Sequence, residues 1–125
     1  MTRFIIDTDC AVYAMAGQFA PLADRLEQCA PGEVAISTIS VAEIMLGTIQ
    51  GKLPSIALFD SFVEAIPMLP FDEAAARVYA TLPFRLARFD RLIAAHALSL
   101  GAAIVTDNEI DFADVPGLAV ENWTR

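Results

Sequence analysis

The chain has 125 residues, enough for one domain with a real core and too few for two. Sixteen acidic residues against eight basic ones give a net charge of −8, which excludes a simple basic coat for nucleic acid. It leaves room for a carboxylate cluster whose charge a divalent cation cancels, and the 56% of hydrophobic residues implies apolar surface covered by a partner.

Phe4-Ile5-Ile6 is a short β-prone run ending at Asp7, followed by Thr8 and Asp9. Val12 to Cys29 carries helical patterning, with Pro21 as a break or first-turn residue, and Pro31-Gly32 is turn chemistry. Glu33 to Ser37 predicts a second strand. Ser40-Val41-Ala42-Glu43 fits a capping box, in which Ser40 caps a helix that stops near Gly47 and Glu43 reaches back to it. Ser55 to Ala65 is a further helix, and Ile66 to Pro70 an extended segment whose prolines suit a sheet edge. Asp72 predicts the N-cap of a helix from Glu73 through about Thr81.

Phe89 to Phe112 reads as one unit. Asp90 opens a helix that is apolar almost all round, Gly101 ends it, and Ala102 to Val105 is a strand without alternation, as expected when both faces are covered. Leu118-Ala119-Val120 is a last short strand. Strands alternating with helices predict an α/β domain with a mainly parallel sheet.

The acids recur at one kind of place. Asp7, Glu43, Asp90 and one or more of Asp107, Glu109 and Asp111 come from four separated segments, and strand ends are where open α/β sheets bind ligands. Like charges gathered there raise one another's pKa unless a cation sits among them. A hard ion with oxygen ligands, Mg²⁺ or Mn²⁺, fits such a set and serves phosphoryl transfer. Read structurally instead, Glu43 is a capping partner, and Asp9, Asp72, Asp114 and Glu121 are caps or surface charges. His96 lies roughly 240° around the helix from Asp90 and reads as a hydrogen-bonded core residue. No glycine-rich phosphate loop and no GxSxG occurs. Cys10 and Cys29 form no metal-ligand or redox spacing, and two cysteines do not make a disulfide framework. The N-terminal apolar run is too short for a signal peptide, and Leu92 to Val105 too short and too broken for a membrane span, so the cytoplasm is the expected location.

In FIIDTDCAVY, STISVAEIMLG, LPFDEAAARVYA, FDRLIAAHALSLGAAIVTDNEIDF and PGLAVENW, taken in order, the sequence resembles the PIN-domain ribonucleases, and among them the VapC-type toxins of toxin–antitoxin modules. The resemblance covers essentially the whole chain, as a single PIN domain over residues 1–125. It implies a three-layer fold with a mainly parallel central sheet flanked by helices. It also implies Mg²⁺- or Mn²⁺-dependent endonucleolytic cleavage of RNA, a homodimer, and inhibition by a VapB-type antitoxin in a toxin–antitoxin hetero-oligomer. The family acids fall on Asp7, Glu43, Asp90 and Asp111, with Asp107 an additional acid beside Asn108. The approach to the third acid, between Tyr79 and Asp90, is shorter than in many relatives.

On this reading Asp7 and Asp90 are principal metal ligands, and Glu43 and Asp111 complete the site, with Asp107 as a further contributor. Thr8, Thr106 and Asn108 position water. Arg85, Arg88 and Arg91 hold the RNA backbone or, equally, carboxylates of the antitoxin. Two other classes fit parts of the pattern. Asp7-Thr8-Asp9 matches the D-x-D of phosphatases that form an aspartyl-phosphate, and sheet-end acids match receiver domains. Both need a lysine near the acids, and Lys52 follows a helix and a turn. A dimeric, non-catalytic interaction module holding a structural cation is the third reading.

Overall fold

The computed structural model describes residues 1–83 and 88–125, the side chain of Arg88 excepted. In chain order the elements are β1 (Phe4–Ile6), α1 (Thr8–Met15), α2 (Ala20–Gln28), β2 (Val34–Ser37), α3 (Thr38–Ile49), α4 (Ile56–Ala65), β3 (Met68–Leu69), α5 (Glu73–Tyr79), α6 (Arg88–Leu100), β4 (Ala103–Val105), α7 (Glu109–Phe112) and β5 (Val120–Glu121). The five strands form one sheet in the order β3-β2-β1-β4-β5, every neighbouring pair parallel. This is the architecture that the alternation of strands and helices predicts.

The apolar runs form strands buried on both faces. Phe4, Ile6, Val34, Ile36 and Val105 point to one side, where Cys10, Ala11, Leu22, Ile44 and Phe59 of α1 to α4 close over them. Ile5, Ala35 and Ile104 point to the other, against Ile93, Ala94 and Ala97 of α6 and Phe112 of α7. A strand's period of two thus divides three consecutive apolar residues between two cores. Trp123, beyond β5, closes the first core, its ring edge-on to Phe4 at 4.9 Å.

Local signals explain most boundaries. Asp72 accepts from Ala75 N and caps α5, and Ser55 accepts from Leu58 N and caps α4. Gly101, at φ +66°, ends α6 in the left-handed conformation that costs glycine nothing. Met68 and Leu69 form the sheet edge beside Pro67 and Pro70, as the prolines require.

The helical stretch after Asp7 is two helices, with Pro21 in the first turn of the second, as its reading as a break or first-turn residue expects. Three boundaries differ from the sequence reading. β2 runs directly into α3, so the cap is Ser37, whose Oγ accepts from Ile39 N at 3.1 Å; Ser40 is buried three residues further on and does not form the expected box. α3 passes through Gly47 to Ile49, with Gly51 in the left-handed conformation beyond it. Residues 109–112 form the short helix α7, one turn being too few for periodicity to register.

Ser37 has a second partner. His96, 2% exposed on α6, places Nδ1 2.8 Å from Ser37 Oγ, so the histidine is the hydrogen-bonded core residue that its position predicts. Burial lowers its pKa, against a smaller opposing pull from Asp72. Ser37→Ala removes a helix cap and leaves a buried imidazole nitrogen without its hydroxyl, so chemical denaturation should show a loss of about 1–3 kcal/mol. A loss below about 0.5 kcal/mol would contradict the double role.

Candidate metal centre

The strand order places the site. From β1 the chain moves outward to β2 and β3, then returns to the opposite side of β1 for β4 and β5, so the direction reverses between β1 and β4. The crevice beyond the carboxyl ends of two such strands is uncovered by either connection. Asp7 stands at the end of β1, and its backbone N donates to Val105 O at the end of β4, at 3.0 Å. Its carboxylate caps α1 by accepting from Cys10 N at 2.9 Å, and the Thr106 hydroxyl donates to it as well. Thr106 is fully buried and also accepts from Asn108 N at 2.9 Å, which fixes the turn after β4.

Three further acids face this point. Glu43, in the second turn of α3, accepts from Thr8 Oγ1 at 2.7 Å, a bond linking residues 35 apart; this, and not a capping box, is what its carboxylate does. Asp90 lies in the first turn of α6. Asp111, on α7, stands within hydrogen-bonding reach of Asp90, and Asn108 Nδ2 donates to its Oδ2.

The electrostatics record the convergence. The pKa of Asp7 is raised to about 6, mainly by burial, with its hydrogen bonds from Thr106 and Cys10 opposing. Asp90 is also raised to about 6, first by burial, then by the adjacent Asp111 and by the charges of Asp7 and Glu43. Asp90 therefore senses the acids of three separate segments at the sheet end, and the carboxyls of Asp7 and Asp90 both stand well above the usual carboxylate range. All the side-chain donors are hard oxygens, a donor set that suits a divalent cation.

The other candidates divide. Thr8, Thr106 and Asn108 each hold an acid of the group: Glu43, Asp7 and Asp111 respectively. Asp107 lies beside α1, where it raises the pKa values of Asp9 and Tyr13, after burial. Ligand atoms of Asp7, Cys10 and Asp107 lie within 4.8 Å of one another. Glu109 bonds Arg125 at 2.8 Å and Asn122 at 3.3 Å, at the far side of α7. Arg91 is 4% exposed and gives Nη2 to Asp114 Oδ1 at 2.7 Å, so it packs α6 against the segment after α7 and is not an open phosphate contact. Arg85 and the side chain of Arg88 lie outside the described residues. Lys52, on the exposed turn after α3, lines a shallow cleft with Thr8, Glu43, Leu46 and Leu53. The sequence reading found no metal-ligand spacing at Cys10, since it compared the two cysteines with each other; the pairing with Asp7, three residues back at the N-cap of the same helix, and with Asp107 is set by the fold.

A carboxyl whose folded pKa stands above its unfolded value stabilises the fold fully below about pH 4, and that contribution is lost as pH rises through about 6. Asp7→Asn keeps an oxygen to cap α1 and removes the charge. In EDTA at pH 8 the variant should therefore be more stable than the parent by on the order of 2 kcal/mol, with little difference at pH 4. Equal stability at both pH values in chemical denaturation would contradict this electrostatic picture.

The PIN domain profile matches residues 4–118. The tRNA(fMet)-specific endonuclease VapC of Shigella flexneri is 32% identical over 133 residues, covering 99% of this chain and 100% of that protein. Ribonuclease VapC2 of Rickettsia felis is 29% identical, with 98% of each covered. Among solved structures, VapBC2 of Rickettsia felis bound to a DNA fragment from its promoter contains a chain that superposes with a TM-score of 0.86 at 26% identity, covering 98% of this chain and 99% of that one. VapBC-1 from nontypeable Haemophilus influenzae gives 0.79 at 25%, with 99% and 100% covered. The full-length match, the parallel sheet and the VapC relatives agree: the chain belongs to the PIN-domain family and, within it, groups with the VapC proteins.

Proposed function

We propose that this chain, acting as one PIN domain, is a metal-dependent endoribonuclease toxin that hydrolyses RNA phosphodiester bonds and is inhibited by a VapB-type antitoxin. The observation that carries the reading is the approach of Asp7, Glu43, Asp90 and Asp111, from four separate elements, at the switch point of the sheet. Asp7 and Asp90 are the principal ligands for Mg²⁺, with Mn²⁺ able to substitute, and Glu43 and Asp111 complete the site. When bound, the cation supplies neutralisation of the phosphodiester and activation of water at neutral pH.

The chain's own part is positional. Thr8 holds the Glu43 carboxylate across 35 residues, Thr106 and the α1 amide hold Asp7, and Asn108 holds Asp111, so that the acids are oriented before substrate arrives. A carboxylate of this set orients the attacking water in line with the departing 3′ oxygen, leaving a 3′-hydroxyl and a 5′-phosphate. Contact with the RNA backbone falls to Arg85 and Arg88, on the approach to Asp90; Arg91 is committed to Asp114.

Several relatives of known structure are described as VapBC complexes, two of them bound to DNA. The exposed side chains of Leu46, Ile49 and Leu53, at 61%, 84% and 72%, leave apolar surface on α3 and the turn after it for an antitoxin or a second copy in a homodimer. Among the described residues no helix is long and apolar enough to cross a membrane, and the cytoplasm, where RNA and antitoxin are found, is the proposed location.

Purified antitoxin-free protein should cut members of a panel of tRNA, rRNA and short single-stranded RNAs with Mg²⁺ or Mn²⁺ and not with EDTA. Asp90→Asn should lower the rate by about 10²–10³ and Thr8→Val, which frees Glu43, by about 10–100. Wild-type cleavage by folded Asp90→Asn would overturn the site assignment. Metal binding and partner binding without any RNA cleavage would favour the interaction module.

A further inference from the structure

Asp107 is the acid that the proposed nuclease centre does not use. It stands two residues past the end of β4, whereas Asp7 follows β1 directly, and it faces α1, where the fully buried Cys10 lies one helical turn beyond Asp7. One oxygen of Asp7, one of Asp107 and the Cys10 sulfur lie within 4.8 Å of one another. We infer that Asp7, Cys10 and Asp107 form a second cation site, on the α1 side of Asp7, which takes a thiophilic divalent ion of the zinc class.

The donor chemistry separates the two sides of Asp7. Toward Asp90, Glu43 and Asp111 every side-chain donor is oxygen, which suits Mg²⁺. Toward α1 a thiol joins two carboxylates, and sulfur selects Zn²⁺ or Cd²⁺ over Mg²⁺. Three protein ligands and a water make the open tetrahedral arrangement zinc commonly adopts. Zn–S and Zn–O bonds place neighbouring ligand atoms about 3.5 Å apart, so side-chain rotations of about 1 Å bring this group to bonding distance. The surroundings already hold the ligands: Asp7 accepts from Cys10 N and from the Thr106 hydroxyl, and Asp107 has the Tyr13 hydroxyl within hydrogen-bonding reach. Asp107 is only half-buried and Asp9 beside it is exposed, which gives a hydrated ion an acidic approach to the buried sulfur. On binding, the thiol gives its proton to solvent and its sulfur lone pair to the metal.

Asp7 belongs to both donor sets. An ion held by Cys10 and Asp107 draws the Asp7 carboxylate toward α1, so zinc competes with the Mg²⁺-supported reaction. Only this inhibitory consequence rests on the nuclease reading; the binding does not.

The test uses the full chain with Cys29→Ser, which leaves Cys10 as its only thiol. Cd²⁺ should produce the ultraviolet charge-transfer band of a cadmium–thiolate bond and reach saturation at one ion per chain. Zn²⁺ should abolish the band by displacement, whereas Mg²⁺ should leave it. Adding Cys10→Ser should remove the band, and adding Asp107→Asn, which keeps the thiol, should weaken Cd²⁺ binding by about 10–100-fold. Should Cys10→Ser fail to fold, the Asp107→Asn comparison decides alone. No band in the folded Cys29→Ser protein, or a band of undiminished affinity after Asp107→Asn, overturns the site. In RNA cleavage, Zn²⁺ should inhibit the Cys29→Ser protein at concentrations at least about tenfold below those needed when Cys10→Ser is added. Equal inhibition of both would overturn the competition. Absence of any cleavage beside an intact cadmium band would fall on the nuclease reading alone.

Discussion

The structure turns on the repulsion among carboxylates gathered at the end of a parallel sheet. A buried acid is costly to ionise, as the raised pKa of Asp7 records, and a second charge at hydrogen-bonding distance makes it costlier, as Asp111 does for Asp90. Nothing in the fold requires this arrangement for stability. The acids are nevertheless individually anchored, by Thr8, Thr106, Asn108 and the first turn of α1, so the chain spends ordered hydrogen bonds on holding like charges together. Such a conflict between local cost and careful positioning is what a functional site looks like.

The fold supplies the position and the helices supply the acids. β1 and β4 are adjacent, parallel and in register, so their carboxyl ends arrive together and Asp7 can bond across to Val105. α3 leaves β2 with no intervening loop, which keeps Glu43 within reach of Thr8 at the start of α1. α6 packs Ile93, Ala94 and Ala97 on the opposite face of the sheet, bringing its first turn, and Asp90, to the same edge. Arg91, one residue on, is turned inward to Asp114 and braces the segment that follows α7.

Much of this was legible in the residues. Short apolar runs without alternation announced buried parallel strands, and an acid directly after one such run and two residues after another announced the sheet end. What the sequence left open has identifiable physical causes. Asp107 and Asp111 both follow β4, and only the turn fixed by Thr106 and the single-turn helix α7 decides that one faces α1 and the other Asp90. Ser37 and Ser40 both satisfy the requirements of an N-cap; the choice falls on Ser37 because the strand ends there. Arg91 shares its surroundings in sequence with Arg85 and Arg88, but a step of about 100° per residue around α6 turns it away from Asp90 and into the core. Family resemblance assigned the proposed site to four acids. The division of labour around Asp7, with oxygen donors on one side and a thiol on the other, required the tertiary contacts.

The most direct test of the account is the position of a bound cation. Crystals of the protein soaked in Mn²⁺ should show an anomalous scattering peak within coordination distance of Asp7 and Asp90, with Glu43 and Asp111 bound directly or through water. A peak elsewhere, with the four carboxylates unmoved and unligated, would contradict the claim that this convergence exists to hold a metal.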